Sequence, residues 1–454
     1  MTRSSILLAA AALVLATSAA AQTKYPAVLD GHAVLPALTL VPPPADAPAD
    51  LAISGRYAGP PGKRIDTPES VPGISALSDK AAPRPTGLSL PFRGQPIQGF
   101  SGIKNLRDGT FLTLSDNGFG SKANSPDAIL MFHVVKPDWK TGAVERVSTG
   151  FLNDPDRKVP FRIVNENTPK RYLTGSDFDL ESVQPIGDAL WFGEEFGPYL
   201  VKTDKTGKVL AVFDTLVDGK VVRSPDNPGL TLPNAPGPVA FEVRRSKGFE
   251  GMAASPDGKF LYPLLEGPLV TASGEPEAKD GKRYLRILEF DVDKGAWTGK
   301  SWKYALEQPN NAIGDFNLID STSGLIIERD DSEGDPALAC KPEAIKADCF
   351  NVPAKFKRIY KVDLAQADTD GFVKKVGYID LMDIDDPQKL ARQGGKDGKL
   401  TFPFFTIENV DLVDADHIIV GNDNNLPFSS GRALGKSDDN ELILLKVTDL
   451  LKAK

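Results

Sequence analysis

Apolar residues along this chain fall in short runs such as FLTL, AILMFHVV, YLVK, RYLRILEFDV, KRIYKVDL and ELILLKV. The runs are rich in β-branched and aromatic residues, which favours strands. Polar turns such as Asp108-Gly109, Asp257-Gly258 and Asp370-Gly371 separate them. Gly (41) and Pro (37) are frequent, and no long helical periodicity interrupts the pattern. The chain is therefore expected to be all-β.

The pattern also repeats. GFSGIKNLRDGTFLTLSDNG (99–118), DLESVQPIGDALWFGEEFG (179–197), GFEGMAASPDGKFLYPLLEG (248–267), GDFNLIDSTSGLIIERDDSEGD (314–335) and IENVDLVDADHIIVGNDNN (407–425) share one plan. Each has an apolar strand, a polar turn, a second apolar strand and an acidic or amide cluster, and most are followed by a further strand. Repeated four-stranded units around an axis make a β-propeller. Five units are recognisable, and residues 51–98 are expected to supply another. Six blades are expected, with seven as the alternative. Segments 215–245 and 331–356 are the expected insertions. A β-sandwich pair would not explain why acidic residues recur at the strand ends.

The first 21 residues have Arg3, a short apolar run and Ala19-Ala20-Ala21. That is a secretory signal, too short to span a bilayer, with cleavage expected near Ala21/Gln22. Residues 22–50 form an Ala/Pro-rich arm, and 51–454 the propeller domain. A periplasmic or secreted protein is expected, without a membrane span. Its two cysteines, Cys340 and Cys349, are expected to form a local disulfide. A formal charge of −8 argues against nucleic acid as partner. The three histidines, His32, His133 and His417, carry no metal-ligand spacing, and His133 and His417 fall in strands.

Ser101-x-x-Lys104, Ser115-Asp116-Asn117 and Lys140-Thr141-Gly142 spell the motifs of penicillin-recognising serine enzymes in order. Their context is wrong. Ser101 begins a strand rather than a helix, and S-D-N follows too soon. Asp116 and Asn117 fit better as one member of the repeated acidic set. The other members are Glu194, Glu195, Glu266, Glu328, Asp330 and Asp423 at the unit ends, and Glu181, Glu250, Glu408 and Asn409 near the unit starts. A propeller would gather equivalent positions at one end of its axis. Carboxylates in close quarters call for a cation, and oxygen donors select Ca²⁺, with Mg²⁺ or Mn²⁺ as alternatives. Any single acidic residue here could instead cap a turn. The recurrence favours Glu181, Glu195, Glu250 and Glu408.

These motifs resemble the phytase-like family, described by its "esterase-like activity of phytase", over roughly residues 85–449. The resemblance implies an exported propeller with hydrolase character and a small ester or phosphoester substrate. The expected mechanism is calcium-assisted attack of water on a phosphoester. Glu195 or Asp116 would serve as general base, Arg329 would steady phosphoryl oxygens, and Asn117 and Lys104 would bind substrate. The remaining acidic residues would hold metal. A carboxylic-ester or lactone hydrolase, with Trp191, Phe192 and Phe196 as an apolar wall, is the second reading. A non-catalytic binding propeller is the third.

Overall fold

A computed structural model describes residues 22–231, 237, 239–271 and 273–454; the expected signal segment, 1–21, lies outside them. The regular structure of the described residues is almost entirely strand, with one short α-helix at Thr448–Lys452 and 3-10 turns at Ala49–Ala52 and Pro336–Leu338. After β1 (Val28–Leu35), four strands form blade 1: β2 (Phe100–Asn105), β3 (Phe111–Ser115), β4 (Met131–Asp138) and β5 (Ala143–Phe151). Blade 2 is β6 (Leu180–Ile186), β7 (Ala189–Glu194), β8 (Tyr199–Asp204) and β9 (Val209–Asp214). Blade 3 is β10 (Phe249–Ala254), β11 (Phe260–Leu265), β12 (Lys282–Asp291) and β13 (Ala296–Ala305). Blade 4 is β14 (Ala312–Leu318), β15 (Ser323–Arg329), β16 (Lys357–Asp363) and β17 (Lys374–Asp380). Blade 5 takes β18 (Thr406–Leu412), β19 (His417–Asp423) and β20 (Asn440–Lys446) from the end of the chain and β1 from its beginning.

The ring closes at five blades. Each inner strand packs against the next, from β2 through β6, β10, β14 and β18, and β18 packs back on β2. The expected six-blade count is corrected accordingly. Residues 51–98 form only short pairs, Ile53–Ser54 with Phe92–Arg93, Val71–Ile74 with Pro85–Leu90, and Gln95–Pro96 with Leu40–Val41 of the arm. Pro and Gly are dense there, so the segment cannot build a four-stranded ladder. Part of the N-terminal arm has a larger role than a tether. Its strand β1 pairs antiparallel with β20 from Val28↔Lys446 to Leu35↔Asn440, and this joins the two ends of the chain within one blade.

Apolar side chains fill the spaces between blades. Leu114 and Phe192 pack between blades 1 and 2, Trp191 and Phe290 between 2 and 3, and Tyr304 and Phe316 between 3 and 4. Ile327 and Ile407 lie between blades 4 and 5, and Phe100 and Leu442 between 5 and 1. Both faces of most strands are thus covered, which explains apolar runs that barely alternate. Burial of each such side chain stabilises by about 1.5–3 kcal/mol. Cys340 and Cys349 form a disulfide in the loop between β15 and β16. That loop is anchored by a buried ion pair between Arg84 and Glu333.

Every inner strand is irregular at the same place. The ladder skips Glu181 in blade 2, Glu250 in blade 3 and Glu408 in blade 5. In blade 1 it skips Ser101 and Gly102, and in blade 4 Gly314 and Asp315. A bulge re-aims the side chain of the extra residue. Blade 4 cannot place a side chain at this position, because a Cβ on Gly314 would stand 1.9 Å from the Ile407 carbonyl oxygen. Gly314→Ala is expected to destabilise the fold by about 1–3 kcal/mol or more through overpacking. Denaturant midpoints of the two proteins measure this.

His133 on β4 is fully buried between the Ser115 and Thr149 hydroxyls, at 3.2 and 3.0 Å. Burial pushes its imidazole down from 6.5 to about 3. Above 6.5 the ring is neutral folded or unfolded. Below that, the unfolded chain takes up a proton that the folded one refuses, so stability falls from 6.5 toward 3 by up to about 1.4 kcal/mol per pH unit. In His133→Gln that acid slope should be shallower by up to about one proton, measured by urea unfolding across the window.

Candidate functional site: a buried carboxylate ring on the propeller axis

Two sets of equivalent positions meet at one end of the axis. The first set is the bulge residues Ser101, Glu181, Glu250 and Glu408. The second is the residue just after the partner of each bulge's neighbour: Asp116, Glu195, Glu266, Arg329 and Asp423. Arg329 of blade 4 thus stands where the other four blades carry a carboxylate. Asp179, immediately before β6, joins them. Except for the partly exposed Asp116, these acidic residues are 1–8% exposed.

The carboxylates face one another closely. Ligand atoms of Asp179, Glu181 and Glu195 lie within 4.8 Å of one another, as do those of Glu181, Glu250 and Glu408, and of Glu195, Glu250 and Glu266. Glu195 Oε1 and Glu250 Oε1 are buried without a hydrogen-bond partner. Such groups normally find a partner or take up a proton. Burial, reinforced by neighbouring carboxylates, pushes Glu181, Glu195, Glu250 and Asp116 well above the usual carboxylate range. Burial likewise raises Asp179 to about 6 and Asp423 to about 8. Oxygen-only donors with orphaned lone pairs fit a hard divalent cation. The ring can therefore hold a metal ion.

Two cations stand on the blade 3 and 4 side. Arg329 Nη2 donates to Glu408 Oε1 at 3.2 Å and to Glu266 Oε1 at 3.4 Å, and its Nη1 pairs with Asp331 at 2.6 Å. Burial opposes its charge, but these acidic neighbours hold it more firmly protonated than usual. Its Nε is buried without a partner. Lys247 pairs with Glu266 and remains partly exposed. On the blade 1 side, Asn117 Nδ2 donates to Asp179 Oδ1 at 2.8 Å, and Ser101 Oγ to Glu408 Oε2 at 2.9 Å.

Not every expected residue reaches the ring. Glu194 points away and accepts the Phe196 and Gly197 amides at 2.9 and 2.7 Å; burial raises it to about 8. Glu328 is enclosed in blade 4 by Tyr304, Asn311 and Lys375. Asp330 caps the Lys355 and Phe356 amides and pairs with Lys357. Asn409 links blade 5 to blade 1 through the Phe100 carbonyl at 2.5 Å. Lys104 lies further along β2, donating to Asp411 and Asn317 at 3.0 and 2.9 Å. With Gln184 bonding Asn317 at 2.8 Å, it forms a satisfied polar layer across the axis beneath the ring. Of the expected apolar wall, Trp191 and Phe192 are committed to the core between blades, whereas Phe196 is buried directly after Glu195, with Lys122 Nζ 5.8 Å from its ring centre.

Asp179, Lys247 and the ring role of Ser101 escaped the sequence reading. Superposing the repeats would have exposed Asp179, because it occupies the place of Gly99 and Gly248. Lys247 carries no repeat signal, since it precedes the repeated positions.

A relative from Arthroderma benhamiae, described as an uncharacterized secreted protein, is 33% identical over 128 residues, 26% of this chain. The match spans only about a quarter (24%) of that relative's length. Among solved structures, the periplasmic gluconolactonase of Pseudomonas aeruginosa is 11% identical, covering 83% of this chain and 98% of its own at a TM-score of 0.31. A GH43 β-1,3-galactosidase is also 11% identical, covering 83% of this chain and 59% of its own at 0.37. At those scores the propeller assignment rests on the blade topology itself. Residues 95–426, most of the chain and every repeat except the blade-closing ends, match the family described as phytase-like, "esterase-like activity of phytase", and the chain belongs to that family.

Proposed function

We propose that this protein is an exported, calcium-dependent hydrolase of phosphoesters that works at the carboxylate ring. One observation carries the reading: unpartnered, buried carboxylates converge beside a buried arginine whose Nε is also unpartnered. Family membership supports the hydrolase class. Export is supported by the signal-like N-terminus, by the disulfide and by the description of the fungal relative as secreted.

Glu181, Glu195 and Glu250 would hold the ion, since each belongs to two of the close carboxylate groups, with Asp179, Glu266 and Glu408 completing its shell. A bound Ca²⁺ would neutralise substrate charge and favour ionisation of water. Glu195 would accept the proton of the attacking water, a role its unpartnered Oε1 supports, and the partly exposed Asp116 is the alternative base. Arg329 would donate from its fork to phosphoryl oxygens, and Lys247 would add charge at the mouth. An acyl-ester reading keeps only Phe196 of its expected apolar wall, because Trp191 and Phe192 lie in the core between blades.

With calcium, the purified protein is expected to release phosphate from phosphomonoesters. Chelation or Glu195→Gln should lower kcat/KM by at least about 100-fold. Equal turnover with and without chelator, or turnover of acyl esters alone, would overturn the proposal.

Stability supplies a separate check. Calcium should raise the melting temperature by several degrees. Glu250→Gln should abolish that shift while melting higher than the wild type in chelator, because it removes one buried like charge. A calcium shift retained in Glu250→Gln would place the ion elsewhere.

A further inference from the structure

Two cavities adjoin between blades 3 and 4. The inner one, about 260 Å³, reaches the ring at Glu266 and Lys247 and also carries Arg244 and Asn311. The outer one, about 690 Å³, runs past Lys282, Arg358 and Tyr378. Arg283, Leu306 and Pro309 line both, so the two make one groove leading from the rim of the propeller to the ring.

The groove's charge runs against that of the molecule. The chain carries −8 overall. Yet Arg244, Lys282, Arg283 and Arg358 line the groove, and among the described residues none of the four makes an ion pair with a carboxylate. Arg283 Nη1 donates only to the Pro309 carbonyl, at 2.9 Å. Arg358 is stacked on Phe356 and Tyr378, at 4.3 and 4.2 Å, which presents its guanidinium without tying it to an anion. By contrast Lys375, on the same wall, is neutralised by Glu307 and Glu328. Unpaired guanidinium forks at successive points along a trough suit an anion with several charges in a row. A single phosphate would fill only the inner end.

We infer that the groove between blades 3 and 4 binds a linear chain of phosphate groups, threading one end to Lys247 and the ring while Arg283 and Arg358 hold the phosphates behind it. This rests on the phosphoester reading of the ring and adds the shape of the substrate: a phosphoester whose phosphate groups continue in an extended row rather than a compact cluster, entering from the side of the propeller. Lys282, exposed at the rim, meets the outer end.

The test is calorimetric binding of tripolyphosphate and of orthophosphate to the full chain, with magnesium as the divalent ion, in the wild type and in Arg283→Gln/Arg358→Gln. Tripolyphosphate should bind the wild type at least about tenfold more tightly than orthophosphate, and that ratio should fall toward one in the double variant. Lys282→Gln, a surface change with no fold to disturb, should lower the ratio by a smaller factor. Equal affinity for both anions, or a ratio unchanged in the double variant at an unchanged melting temperature, would overturn the inference. The two readings fail separately. Ester turnover that ignores the groove arginines leaves the hydrolase and removes the groove, whereas arginine-dependent tripolyphosphate binding without turnover of any ester does the reverse.

Discussion

The mutual repulsion of buried carboxylates on the axis is the constraint around which the rest is arranged. Five inner strands bulge at one level, and three of the bulges turn a glutamate toward its neighbours. Second strands add Glu195, Glu266 and Asp423 from outside. Gathering like charges away from water costs several kcal/mol per ion unless they are protonated or joined by a cation. The surrounding propeller must be stable enough to hold them there. It achieves this with five apolar seams between blades and with β1, which ties the start of the chain to its last strand.

The ring is also lopsided. Blade 4 differs from the others at both equivalent positions, with Gly314 in place of a bulge carboxylate and Arg329 in place of a strand-end one. The two changes fit one another: the close approach of Gly314 to blade 5 leaves no room for a side chain, and Arg329 brings its positive fork to Glu266 and Glu408. Arg329 and Lys247 therefore offset part of the negative charge on the blade 3 and 4 side, which the blade 1 and 2 side leaves uncompensated. The polar layer of Lys104, Asp411 and Asn317 crosses the axis below the ring.

Much of this was legible in the chain. Short strands, Asp-Gly turns and the recurrence of acidic ends pointed to a propeller, and the recurrence singled out Glu181, Glu195, Glu250 and Glu408, which the structure brings together. The blade count was harder. Residues 51–98 have the length of a blade but not its ladder, and β1 hides in an Ala/Pro-rich arm because its partner lies at the far end of the sequence. Glu194, Glu328 and Asp330 share the letters of the ring but not its direction. In a strand, one residue's shift turns a side chain to the opposite face. Glu194 therefore caps a turn, whereas Glu195 meets the axis. Such parity depends on the bulges, which leave no composition signal.

A crystal structure grown with calcium decides whether the ring binds a cation. Anomalous density is expected on the axis at about 2.3–2.6 Å from oxygens of Glu181, Glu195 and Glu250. An axis without such density, with the carboxylates paired to one another through shared protons at saturating calcium, would contradict cation binding there.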